Sequence, residues 1–127
     1  LSLHDALPIW RSRPEKSPVR SDACIGLYLA ELHFPEARTL KEKRAPLASL
    51  RDVTQSRFRA SFSEVGLQDV WQRARILVVV ASSSLARARD RLDDIDRYVH
   101  AREYEFVVAR VVLKTADPVD GIWDIDS

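Results

Sequence analysis

Cysteine, glycine, long apolar runs and an excess of one charge are all scarce in this sequence. The single cysteine, Cys24, cannot form an internal disulfide and has no companion thiols for a structural zinc site. Its expected place is a small buried residue opening a strand, in a reducing compartment. No apolar run approaches the roughly 20 residues needed to cross a bilayer, and no charged start with a long apolar middle marks a signal peptide. A soluble, cytoplasmic protein is expected. The 20 Lys and Arg nearly cancel the 19 Asp and Glu, which argues against the strong overall field of a dedicated nucleic-acid binder. Of the three glycines, Gly66 belongs to no phosphate-binding loop or dinucleotide fingerprint, and no cofactor is expected.

What is present suits one compact domain: 127 residues with an apolar fraction of 46% can bury a real core. The charge is polarised locally. Residues 36–75 hold nine Lys and Arg against five Asp and Glu, whereas residues 76–105 hold five against six. The ends are set apart. Leu1–Ile9, LSLHDALPI, matches the in-frame translation of a common sequencing-adapter oligonucleotide and is excluded from fold and site reasoning. Trp10–Ser21 has no helical or strand period, so residues 1–21 are expected to be a non-native or irregular leader, with a basic RNA-contacting arm as the alternative reading. The domain is expected over 22–115, followed by an acidic tail over 116–127.

Alternation over Cys24–Phe34 predicts a strand with Gly26, Tyr28, Ala30, Leu32 and Phe34 facing helices. Ile25, Leu27 and Leu29 share the opposite face with Glu31 and His33. Thr39 to Glu42 has capping-box spacing, with Glu42 expected to cap the Thr39 N–H. The helix that follows places Leu40, Leu47, Leu50 and Val53 or Thr54 on its apolar stripe and leaves Lys41, Lys43, Arg44 and Arg51 outside it. Pro46 predicts a kink or a later start. Strands are expected over 58–65 and 74–81, joined by an extended or bulged hairpin. Leu85, Ala88, Leu92, Ile95 and Val99 recur at helical spacing, and 103–113 supplies a fourth strand. The order β-α-β-β-α-β predicts an α+β, ferredoxin-like domain: a four-stranded antiparallel sheet with both helices on one face.

Four stretches carry a family resemblance: Glu31-Leu-His33 with Pro35, Thr39-Leu-Lys-Glu-Lys-Arg44, Phe58 with Glu64-Val, and Gln68-Asp-Val-Trp-Gln-Arg-Ala74. Over roughly residues 24–114 the chain resembles the small bacterial YlxP-like proteins, domain-of-unknown-function family 503. The resemblance implies a ferredoxin-like domain. Family genes commonly lie near those for transcription antitermination, translation initiation and ribosome maturation, which implies work on RNA or the ribosome. It supplies no catalytic residues. Leu29 stands where the family often has a basic residue, which makes the open face here more apolar.

The expected function is a noncatalytic RNA- or ribosome-associated binding domain. Its candidate contacts are Lys41, Lys43, Arg44, Arg57, Arg59, Arg73 and Arg75 for phosphate, Trp71 for stacking, and Gln68 and Gln72 for hydrogen-bonding edges. Trp71 has a structural alternative as an anchor of the hairpin. The sheet lacks the aromatic signature of an RNA-recognition motif, so RNA is expected on the basic edge and the hairpin. The second function is a homodimeric scaffold or regulatory protein that buries Ile25, Leu27 and Leu29. An enzyme is the third, with Glu31 and His33 as the acid-base pair and Asp69/Arg73 as a charged partner. Neither pair has a complete constellation, and no metal site is expected. The expected partners are ribosomal RNA or a ribosomal particle, or a second copy of the chain; no membrane or small-molecule substrate is indicated.

Overall fold

A computed structural model describes residues 23–117. The expected leader over 1–21 and residues 118–127 of the expected tail lie outside the described residues. The elements are β1 (Cys24–His33), α1 (Leu40–Ser56), β2 (Ser61–Glu64), β3 (Arg73–Ser82), α2 (Leu85–Ala101) and β4 (Val107–Ala116). They form one four-stranded sheet in the order β2-β3-β1-β4, with every pair antiparallel. This is the ferredoxin-like α+β arrangement that the alternating patterns predict.

The core lies between the sheet and the helices. Tyr28, Ala30 and Leu32 of β1, and Phe34 just beyond it, meet Ile76, Val78 and Val80 of β3, together with Leu47, Leu50, Leu92, Ile95 and Val99 from the helices. Cys24 is buried and free at the start of β1. Gly26 lets α2 come close: a Cβ there would lie 2.7 Å from Val80 Cγ2 and 3.0 Å from Leu92 Cγ. The hydroxyl of buried Tyr28 donates to Asp96 Oδ1 at 2.7 Å, tying β1 to α2. Burial, with the bond to Asp96, pushes this phenol well above its usual range.

Several boundaries differ from those predicted, each for a local reason. The α1 helix starts at Leu40 and runs through Pro46 without a delayed start. Its Thr39 cap accepts from the Glu42 N–H at 3.2 Å, but Glu42 accepts from the Arg38 N–H at 2.6 Å rather than from Thr39. The second strand begins at Ser61 because Arg59 takes a left-handed φ of 52° and Ala60 N–H bonds back to Thr54 O at 3.0 Å. The fourth strand begins at Val107 because residues after α2 continue in turns, with Glu103 N–H to His100 O and Glu105 N–H to Arg102 O. Phe106 then closes that end of the core, its ring 5.6 Å from Phe34.

Candidate nucleic-acid interface

The hairpin between β2 and β3 is built around Lys43. Gly66 and Leu67 take left-handed φ values of 67° and 57°, turning the chain so that its carbonyls converge on α1. The Lys43 ammonium lies 2.8 Å from Glu64 Oε2, 3.0 Å from Leu67 O and 2.7 Å from Val70 O. Gln68 O at 3.3 Å and Arg73 O at 3.2 Å complete the cradle. At 1% exposure Lys43 is a core residue, which corrects its expected place among the phosphate contacts. Its position follows the buried stripe Lys43, Leu47, Leu50, Thr54, spaced four, three and four. That period was the signal for its burial, and the charged residue type concealed it.

The same hairpin leaves Trp71 48% exposed and Val70 36% exposed. Trp71 is therefore not an inward-facing anchor. Gln72 donates from its side chain to Ala37 O at 3.3 Å, and Gln68 donates to Glu64 O at 3.2 Å, so both amides brace the turn. Lys41 and Arg44 flank Lys43 on the exposed side of α1.

Arg73 and Arg75 belong to the face of the sheet away from the helices. The strand registers arrange that face in rows across β3, β1 and β4: Arg75·Glu31·Arg110, then Leu77·Leu29·Val112, then Val79·Leu27·Lys114, then Ala81·Ile25·Ala116. Glu31 Oε1 pairs with Arg73 at 3.1 Å and Oε2 with Arg75 at 3.0 Å. Hydrogen bonds from Arg75 and then Arg73 hold its carboxyl below the usual carboxylate range. With both oxygens of Glu31 engaged by arginines and His33 exposed in the next row, the two do not form an acid-base pair with each other. Ile25, Leu27 and Leu29 are half-buried in the apolar rows.

Arg57 and Arg59 are elsewhere. Arg91 joins the Arg59 carbonyl to that of Ala81, at 3.2 and 3.1 Å, placing Arg59 at the Ala81 end of β3. Arg75 is six residues away along the strand, about 20 Å at roughly 3.3 Å per residue. The expected basic edge is thus divided between two ends of the β2-β3 ribbon. At the Arg59 end lies an open groove of about 970 Å³ whose lining includes Arg57, Arg59, Arg91, Arg97, Phe58 and Tyr98. The Arg57 guanidinium stands 5.1 Å from the Phe58 ring centre and 5.9 Å from that of Tyr98, and the two rings are 5.8 Å apart. Arg91 also donates to Phe58 O, and Arg97 pairs with Asp94.

Arg91 and Arg97 escaped the sequence reading because aspartates interleave with them and block counting cancels their charge. On the folded helix, Asp94 is the one acidic residue lining the groove beside four arginines. Arg57 and Arg59 enter no ion pair among the described residues. The groove can therefore receive an anion without first breaking a bridge to either of them.

Comparison with known proteins gives a family. Residues 25–112 match the family described as "Protein of unknown function (DUF503)". The chain is also 35% identical over 75 residues to "Uncharacterized protein YlxP" of Bacillus subtilis (strain 168), covering 59% of this chain and 82% of that protein. Among the described residues no helix is long and apolar enough to cross a membrane. With its family match covering both helices, β2, β3 and most of β1 and β4, this chain belongs to the DUF503 family.

Proposed function

We propose that this domain is a noncatalytic RNA-binding module that acts on ribosomal RNA or a ribosomal particle, and that the arginine groove is its contact surface. The observation that carries the reading is the groove itself: four guanidiniums and two aromatic rings with one carboxylate among them. Guanidinium groups bind phosphate oxygens in pairs, and both guanidinium planes and aromatic faces stack on unpaired bases. Arg91 is already held by three carbonyls, so it supplies fixed positive charge, while Arg57 and Arg59 supply the movable donors. The genomic setting implied by the family resemblance points to the same class of partner.

The test is binding of ribosomal RNA fragments at several salt concentrations, comparing the wild type with an Arg57→Ala/Arg59→Ala variant. Loss of two phosphate contacts lowers the slope of log affinity against log salt by about 1.4, roughly 0.7 per contact on single strands. An unchanged slope in a folded variant removes the groove from consideration. Absence of wild-type binding to ribosomal particles and RNA removes the function.

A further inference from the structure

We propose that the free edge of β4 is a docking site for an extended segment of a partner protein, and that it selects an acidic-x-apolar-x-acidic alternation. This site is separate from the arginine groove. In the sheet order β4 is terminal, paired to β1 on one side. Its ten residues, VVARVVLKTA, contain no proline. Among the described residues its outer N–H and C=O groups meet no further strand, which makes the edge a template for strand addition.

The register specifies what such a strand must carry. On the face away from the helices, an added antiparallel strand would set successive alternate side chains opposite Arg110, Val112 and Lys114. Arg110 forms no hydrogen bond or ion pair among the described residues, because Glu31 beside it is engaged by Arg73 and Arg75. It borders a cleft of about 260 Å³ with Leu29 and Val112 in its walls. A carboxylate opposite Arg110, an aliphatic side chain against Val112 and a second carboxylate opposite Lys114 match that row. On the helix side, a second cleft of about 290 Å³ lies along the same edge beside Leu92 and Leu113, the latter 37% exposed. An added strand would direct its intervening side chains there.

The same charges weigh against a second copy of this chain in the registers centred on Val112 or Arg110. Two β4 strands related by a two-fold axis at Val112 would place Arg110 opposite Lys114, and an axis at Arg110 would place that residue opposite itself. Like charges directly opposed across strands are destabilising.

The experiment titrates the full-length chain with two fluorescein-labelled peptides, Ser-Glu-Thr-Val-Thr-Glu-Ser and its counterpart with both glutamates replaced by lysine. The acidic peptide is expected to bind at least tenfold more tightly and to protect β4 amides from hydrogen exchange in the wild type. The order should reverse in Arg110→Glu/Lys114→Glu, whose fold is checked by circular dichroism. Failure of both peptides to bind, equal binding of the two, or protection outside β4 overturns the proposal. A dimeric sedimentation mass dissolved by the peptide reassigns the edge to a second copy and overturns it; displacement of the peptide by a short single-stranded RNA likewise reassigns it to RNA. Binding that appears only in Asp120→Lys/Asp124→Lys also overturns it, in favour of this chain's own Asp120-Gly-Ile-Trp-Asp124, whose sequence carries the same alternation.

Discussion

Replacing Lys43 by methionine removes one cation from five oxygen contacts while retaining a side chain of similar length. The ammonium has three protons to share among Glu64 and four backbone carbonyls, at distances from 2.7 to 3.3 Å. Because Lys43 is 1% exposed, water cannot take its place without opening the turn. Breaking a fully buried ion pair from one side costs about 3–5 kcal/mol; with Glu64 25% exposed, the lower end, about 3 kcal/mol, applies here. At roughly 4–8 °C per kcal/mol for a domain of this size, that lowers Tm by at least about 12 °C. Urea denaturation and a thermal scan measure both quantities. Adding Glu64→Gln should recover only about 1 kcal/mol, since the carbonyls still lack their donor. Lys43→Arg should also destabilise, because a planar guanidinium cannot point its donors at a cradle built around a compact ammonium. A Lys43→Met protein within about 0.5 kcal/mol of wild type, the scatter of an ordinary surface change, would refute this account of the hairpin.

Three further outcomes follow from the packing. Tyr28→Phe should cost about 1.5–3 kcal/mol in urea denaturation, the net value of a hydrogen bond to a charged group, by removing the donor to Asp96 while leaving the ring's packing in place. Gly26→Ala should destabilise by about 1–3 kcal/mol, because the added methyl meets Val80 and Leu92 at overpacked distances; a gain in stability would show that α2 can shift outward. The lowered carboxyl value of Glu31 implies stability that is present above the ordinary carboxylate range and is lost as pH falls through the folded-state value. Glu31→Gln should therefore flatten the acid limb of the stability profile without altering its shape near neutrality, as read from Tm against pH.

The fold was legible because its main signals are local and periodic. Alternation in β1 identified the buried set from Tyr28 to Phe34, and the spacing from Ala88 to Val99 identified the inward face of α2; Leu85, at the helix's first turn, is the exposed exception. The candidate site was less legible. Lys43 has the residue type of a surface contact and the periodicity of a core position, and the oxygens that resolve the conflict come from 21 to 30 residues further along the chain. Arg57 and Arg59 were visible as basic residues, but their partners Arg91 and Arg97 come from α2, where neighbouring aspartates mask them in any linear count. Arg73 and Arg75 looked like part of the same edge; only the strand register separates the two groups and brings Glu31 between Arg75 and Arg110.

The Lys43 cradle also makes the order of one segment depend on another. Its oxygens all belong to the segment from Glu64 to Arg73, whereas its cation is carried by the end of the first turn of α1. Until that turn forms, the left-handed pair Gly66 and Leu67 has no central charge around which to close. The hairpin is therefore coupled to α1: opening of the helix's N-terminal turn withdraws the cation that holds it. Hydrogen exchange at residues 65–72 then reports on that helix rather than on the strands the hairpin joins.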